Sequence, residues 1–557
     1  NHYLDNQELT ELLKYFAKSY PQKCDLEILA KTDEDRDIHL LTIYKKDGRH
    51  HSDQAAYWVD AGTHSQEITG TQAAIHLAYL LLANPDNSPE ISYVLDNYTV
   101  YILPRITPDG VEAVLKNNEY IRSSNKQYPD SKYHRGFERE KLCSKHQNKK
   151  PLFLRKKDPQ GRWKLSKKDN RIFIPRGIAE NDQDEDYYML LSEGTFKNYD
   201  GFHQEAPNNY ELDFNRNYPS EWKNDATMPG AGKFPLSQIE TRTVASSITE
   251  RKNICLIQSF HTFSGVTLRP FVNQPDENMP TQDLFIYKEL GKINKEVTGY
   301  DCVSIDKDFK YNAGYEATGT FLEWAYSNAG IISFTTELWN IKDMVGLAKD
   351  YIPDFFNGYS EEEFFKIAAF LDKTGITKRV FSDWVEIDHP QLGKVEAGGW
   401  DMLKFITNPP EEFLEQEVDK NAKSIIAQIP ALPLVKIKNI LVKKISNDLH
   451  RVEIILENSG AMPTYGSDMA KNINMINLPK AVLTLTKNLA LIEGKKEFEF
   501  NHIEGRTQRH NFSNYFFGHM DFNNHQVKLS WIVKGNGEIT FDFDLAKAGY
   551  LSKEITI

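Results

Sequence analysis

"WVDAGTHSQEITG", Trp58 to Gly70, places His64 and Glu67 three positions apart just after a short apolar run. That run, "AAYWVDA" (Ala55 to Ala61), has the length and continuous apolarity of a strand buried on both faces, and "GTQAAIHLAYLLL" reads as a helix over 70–82. A His and a Glu at the C-terminal end of such a strand stand where open α/β sheets place their ligands. Alone, the pair is more often a surface turn than a metal site. Two further segments change that reading. "NICLIQSFH" ends in His261 directly after an apolar strand, and "GIISFTTE" carries Glu337 to the end of another. Four residues able to bind a metal or move a proton thus fall at the ends of three predicted strands.

Outward from these segments the pattern is α/β. Leu9, Leu12, Leu13, Phe16 and Tyr20 follow the spacing of one buried helix face, and Pro21 ends it. Strands are predicted over 24–30, 37–44, 55–61, 97–106, 253–260 and 330–338, with a further helix over 235–250. Strands alternating with helices indicate a sheet with helices on its faces. From about 130 to 208 the chain is charged and poor in periodicity, which reads as a large surface insertion. After about Leu432 the texture changes to strands separated by Gly, Asn and Asp turns, such as "HRVEIILEN" and "EITFDFDLA", the spacing of an Ig-like β-sandwich. The expected organisation is a catalytic α/β domain over 1–431, carrying the insertion, and a smaller all-β domain over 432–557.

Composition limits the function. With 67 Lys and Arg against 79 Asp and Glu, the 557-residue chain has a net charge of −12, which disfavours a nucleic-acid or anionic-membrane partner. The basic "NKKPLFLRKK" (148–157) reads as a solvated surface segment. The longest apolar segment, "AAIHLAYLLLA", is about half of what a membrane-spanning helix needs, so no transmembrane segment is expected. Cys24, Cys143, Cys255 and Cys302 show no paired CxxC spacing and suit either disulfides or small buried hydrophobes. The chain begins at Asn, compatible with a removed signal peptide and hence with a secreted or periplasmic location; oligomeric state is not legible.

The chemistry of the four residues is coherent. Zinc in a hydrolase takes three N or O ligands and leaves one position open, and His64, Glu67 and His261 form such a set for one ion. Glu337 supplies the carboxylate that proton transfer from water to a leaving amine requires. "GTHSQE", "FHTFSG" and "FTTELWN", in this order, resemble the zinc carboxypeptidase family, the carboxypeptidase A-like metallopeptidases with an HxxE pattern and a distant His. "LPRITPDGVE", "DFNRNYP" and "GYEATGTFLEWAYSNAGI" resemble further family segments, and the likeness runs from about Tyr15 to about Asp343.

The resemblance implies a mixed sheet flanked by helices and a zinc-dependent exopeptidase acting on the C-terminus of peptides or proteins. It also implies roles. Glu337 would be the general base, Arg122 would stabilise the oxyanion, Asn215 and Arg216 would hold the terminal carboxylate, and Tyr315 would close over the bound residue. Leu322 falls at the position that sets preference for the terminal side chain. Departures from the pattern are Thr107 where Asn is usual, Gln66 in place of an Arg that contacts the substrate carboxylate, and Phe263 in place of a frequent Tyr. Gln66 and the insertion leave open an amidase acting on a non-protein amide, such as a peptidoglycan stem peptide or an N-acyl amino acid. A third reading is an inactive binding protein on the same fold, with the β-domain as its working part.

Overall fold

The strand that leads into His64 lies near the middle of an eight-stranded mixed sheet in the computed structural model, which describes residues 2–84, 87–117, 121–124, 153–180, 185–192, 195, 199–202, 212–310, 314, 316–348, 358–506 and 524–557. Its strands are β1 (Cys24–Lys31), β2 (Asp37–Ile43), β3 (Ala56–Ala61), β4 (Thr99–Leu103), β5 (Ile254–Thr262), β6 (Val266–Arg269), β7 (Asp301–Ser304) and β8 (Ile332–Leu338). They run in the order β1-β2-β4-β3-β5-β8-β6-β7. The central pairs β4–β3, β3–β5 and β5–β8 are parallel, so the C-terminal ends of β3, β5 and β8 share one edge of the sheet.

Burial on both faces explains the unbroken apolar runs of β3 and β5. On one face Tyr57, Val59 and Ala61 meet the helices α1 (Asn6–Ser19), α2 (Thr69–Ala83), α4 (Thr281–Thr298) and α5 (Glu411–Gln428). On the other, Trp58 and Ile257 meet Val244, Ala245 and Ile248 of α3 (Ile239–Glu250). Local signals set the helix ends. Asp5 and Glu8 form a reciprocal capping box at the start of α1. The sequence reading ended β5 at Phe260; the observed strand continues to Thr262, so His261 is a residue of the strand itself. It starts α3 four residues too early, because Gln238 is extended and the helix begins at Ile239.

The segment read as a surface insertion carries secondary structure of its own. Its described residues form strands Phe153–Lys157, Trp163–Leu165, Phe173–Pro175 and Tyr187–Ser192, which join Phe381–His389 and Gly393–Trp400 in a six-stranded sheet. The pairing is non-local, Arg155 lying opposite Glu396. Within the basic segment Leu154 is buried, Arg155 makes a forked ion pair to Glu396 (2.8 and 3.0 Å), and its guanidinium lies 4.5 Å from the Trp384 ring. Residues 153–157 of that stretch are part of a sheet rather than merely solvated.

Among the described residues the C-terminal region is built of β-strands, with the short α-helix Asp468–Asn472. Two four-stranded antiparallel sheets enclose a core that includes Val452, Ile454, Leu483, Trp531 and Phe541. This part grips the α/β part at buried polar points. Lys547 is buried and its ammonium donates to the carbonyl of Ile254 at the start of β5 (2.8 Å). Asp283 of α4 is fully buried and accepts from the backbone N–H groups of Asp468 (2.7 Å) and Met469 (2.9 Å) and from the Tyr326 hydroxyl (2.8 Å). Cys24, Cys255 and Cys302 are free thiols, and Cys143 lies outside the described residues.

Removing the Asp283 carboxylate leaves three donors without their acceptor. Asp283→Ala is expected to lower stability by about 2–3 kcal/mol, the scale of losing hydrogen bonds to a charged group. Amide hydrogen exchange checks this locally, through faster exchange at Asp468 and Met469; unchanged protection there would show that the contact carries no docking energy.

Candidate active site

His64 and Glu67 occupy a tight loop between β3 and α2 that the surrounding backbone holds in place. Ile106 and Thr107 donate to the carbonyls of Ala61 and Gly62 (2.9 and 3.1 Å), and Ser65 donates through its N–H to the Arg122 carbonyl (2.7 Å). The Ser65 hydroxyl also donates to the Ser123 carbonyl (2.8 Å) and to Thr107 Oγ1 (3.1 Å). Gly110 of the "TPDG" turn is required by this packing, since a Cβ there would meet Ser65 Oγ at 2.0 Å. Thr107, the departure from the usual Asn, keeps a structural function by donating to the Gly62 carbonyl (2.6 Å).

His261 arrives from β5 and meets the loop. Nδ1 of His64 lies 2.7 Å from Glu67 Oε1, Nδ1 of His261 lies 3.0 Å from Glu67 Oε2, and the two Nδ1 atoms are 3.1 Å apart. All three side chains are buried, at 3, 4 and 2% exposure. Two ring nitrogens and a carboxylate converging at such distances match the edge of a tetrahedron of about 3.3 Å built on zinc bonds of about 2.0–2.1 Å. The donor set therefore fits one zinc ion. Among the described residues this is the group of His, Cys, Asp and Glu side chains whose donor atoms converge.

Asp213, which the sequence reading gave no role, completes the cluster. Its Oδ1 lies 3.2 Å from His64 Nε2, so with Nδ1 free for a metal the ring proton resides on Nε2 and donates to Asp213. Arg122 donates through Nε to Asp213 Oδ2 (3.1 Å) and through Nη1 to Glu67 Oε1 (3.3 Å). Burial opposes the charged form of Asp213, but Arg122, Arg216 and His64 outweigh it and hold the carboxyl well below the usual range. Burial likewise opposes charge on Glu67, and the adjacent His64 and His261 bring its carboxyl below the ordinary value. The signal for Asp213 is an Asp two residues before Asn215 in "DFNRN".

Glu337 lies on β8 directly beside His261, in register across the parallel β5–β8 pair, so both side chains project from the same face of the sheet. Burial pushes its carboxyl up to about 8, with His261 and Arg122 opposing and Glu67 reinforcing the rise. A cleft opens here, lined by His64, Arg122, Asn215, Arg216, Leu322 and Glu337 among others. Asn215 is oriented by accepting the Phe321 N–H at Oδ1 (2.9 Å), and Arg216 is buried. Gly319 allows this contact: its φ is +65°, and a Cβ would approach the Arg216 carbonyl to 2.2 Å. Leu322 packs with Val266 and Leu268.

Tyr315 lies outside the described residues. Gln66 is buried and does not line the cleft; its carbonyl accepts from Asn408 Nδ2 (2.8 Å). Phe263 packs in the cluster around Trp339 and Ile341, also away from the cleft lining.

The zinc carboxypeptidase family model matches residues 9–160 and 186–362, more than half of the chain, and residues 434–556 match a domain of unknown function. Carboxypeptidase A1 of Rattus norvegicus is 23% identical over 380 residues, covering 67% of this chain and 70% of that protein. Carboxypeptidase M of Mus musculus is 25% identical over 135 residues, 24% of this chain and 30% of that protein. Among solved structures, carboxypeptidase A from Helicoverpa armigera aligns with a TM-score of 0.40 and 17% identity over 68% of this chain and 75% of that one. The chain belongs to the zinc carboxypeptidase family. By class it is a metallocarboxypeptidase, a hydrolase, and among the described residues no helix is long and apolar enough to cross a membrane.

The Asp213 contact gives a measurable consequence. Asp213→Asn is expected to weaken zinc binding by about tenfold or more, the usual effect of removing the carboxylate behind a ligating His. Competition against a chromophoric chelator reads the affinity directly, and an unchanged affinity would remove Asp213 from the metal centre.

Proposed function

We propose that this chain removes residues from the C-terminus of peptides or proteins, with His64, Glu67 and His261 holding one zinc ion. The carrying observation is the register that sets Glu337 beside His261 on neighbouring strands, within a cleft that also contains Arg122, Asn215 and Arg216. Zinc, when bound, supplies Lewis-acid polarisation of the scissile carbonyl and of a water molecule. The Glu337 carboxylate takes the proton of the attacking water and passes it to the leaving amine. Its partly buried setting favours that role, because desolvation raises its proton affinity. The Arg122 guanidinium faces the charge that develops on the carbonyl oxygen.

Exopeptidase action follows from the other end of the cleft. The Arg216 guanidinium is suited to a forked interaction with the terminal carboxylate, and Asn215, fixed through Phe321, supplies a neutral polar contact beside it. A substrate held there presents its last peptide bond to Glu337. We assign the chemistry to residues 1–431, while residues 432–557 support β5 from its far end through Lys547.

Glu337→Gln is expected to retain one zinc per chain and lose about 10³-fold in kcat, the scale of losing a general acid–base. Mass spectrometry of a peptide mixture reads the loss of single C-terminal residues. Amidation of the substrate C-terminus should abolish release by the wild type, and Arg216→Met should erase the distinction between free and amidated ends. Equal wild-type turnover of amidated peptides would refute the exopeptidase reading, and preference for stem peptides over ordinary ones would favour the non-protein amide.

A further inference from the structure

The same cleft that holds Glu337 has a further set of lining residues with their own chemistry. Leu268 of β6 pairs with Thr335 of β8, and Leu322 packs on Leu268, with Ile305 and Phe309 closing the cluster. These residues and Val272 give the pocket apolar walls. Away from the residues assigned to catalysis and carboxylate binding, Lys310 is the charged lining residue among those described. Its ammonium is ion-paired with Asp306, four positions earlier, at side-chain exposures of 30 and 18%. Asp306 does not itself line the cleft.

We propose that the Lys310–Asp306 pair sets the charge preference for the terminal side chain, admitting acidic and apolar residues and rejecting Lys and Arg. The proposal rests on the carboxypeptidase reading above. With the terminal carboxylate at Arg216 and the scissile bond at Glu337, the apolar walls and Lys310 remain for the side chain. An apolar side chain gains burial against Leu268, Phe309 and Leu322. A basic one would place a second cation beside Lys310, and the nearby carboxylate that could balance it, Asp306, is already neutralised. An acidic one can share the ammonium with Asp306. Lys310 thus has two effects: it offers a cation to the pocket and masks an anion behind it.

The pair predicts opposite results for its two members. The test uses the zinc-loaded full chain and three peptides differing only in a terminal Leu, Glu or Lys, with kcat/KM measured for wild type, Lys310→Met and Asp306→Asn. Wild type should favour Glu over Lys by about fivefold, the upper scale of one partly exposed charge contact. Lys310→Met removes the cation and uncovers Asp306, so the Glu-to-Lys ratio should fall by about tenfold or more and reverse. Asp306→Asn frees the ammonium and should raise the ratio. Zinc content and the far-ultraviolet spectrum verify folding of each variant. Terminal release with a ratio that neither substitution moves overturns this proposal alone. Absence of release from all three peptides with zinc bound would overturn it together with the carboxypeptidase reading.

Discussion

Two imidazole nitrogens and a carboxylate held about 3 Å apart, out of contact with bulk water, form an arrangement that needs a cation. If both Nδ1 atoms carry lone pairs, they repel each other and both repel Glu67. The fold enforces this convergence rather than relaxing it, and the enforcing contacts are visible. Ser65, Thr107 and Asn408 fasten the loop from below, the Thr262 N–H donates to Glu67 Oε2 (3.2 Å), and Asp213 fixes the His64 ring.

 The Thr262 N–H adds a fixed backbone dipole beside Glu67, and Arg122, ion-paired with Asp213 and Glu67, adds a positive charge. Metal binding and folding are coupled in such a site, because the ion stabilises a loop geometry that its own ligands oppose.

The second constraint is register. Side chains alternate across a strand, so a slip of one residue between β5 and β8 would turn Glu337 to the opposite face of the sheet from His261. Seven paired positions, Ile332 with Leu256 through Leu338 with Thr262, hold that register, and the apolar faces on both sides penalise any shift. Lys547 contacts β5 at Ile254, seven residues before His261 and so roughly 23 Å away along the strand. Through this contact the β-rich region acts on the strand it braces, well removed from the cleft.

The parts of the fold legible in the sequence were those set by local pattern. α2, β3, β5 and β8 each bury a continuous or periodic apolar set, and the HxxE loop sits at a strand end, so His64, Glu67, His261 and Glu337 could be found from spacing and resemblance. The six-stranded sheet was not legible. Phe153–Lys157 is short and basic, and besides Tyr187–Ser192 it pairs with Gly393–Trp400 more than two hundred residues later, so no local periodicity announces that pairing. Asp213 escaped for a related reason: its function depends on a contact to His64 across 149 positions, and an Asp before a turn looks like an ordinary cap. Its N–H partner Asn215 shows that it is also that cap, so both readings of the residue hold at once.

Net charge and local charge point in opposite directions here, and the local one governs recognition. The chain carries −12 overall, yet the described cleft lining contains Arg122, Arg216 and Lys310 against the single carboxylate of Glu337. Low-dielectric walls such as Leu268 and Leu322 concentrate the field of those cations inside the cleft, while the acidic exterior is screened by salt within about 8–10 Å. A carboxylate-terminated chain is thus attracted at short range to a protein that repels it weakly at long range. The arrangement favours substrates whose negative charge is confined to the end that enters the cleft, because only that end leaves the exterior field behind. Polyanions, whose charge extends along the whole chain, stay exposed to it.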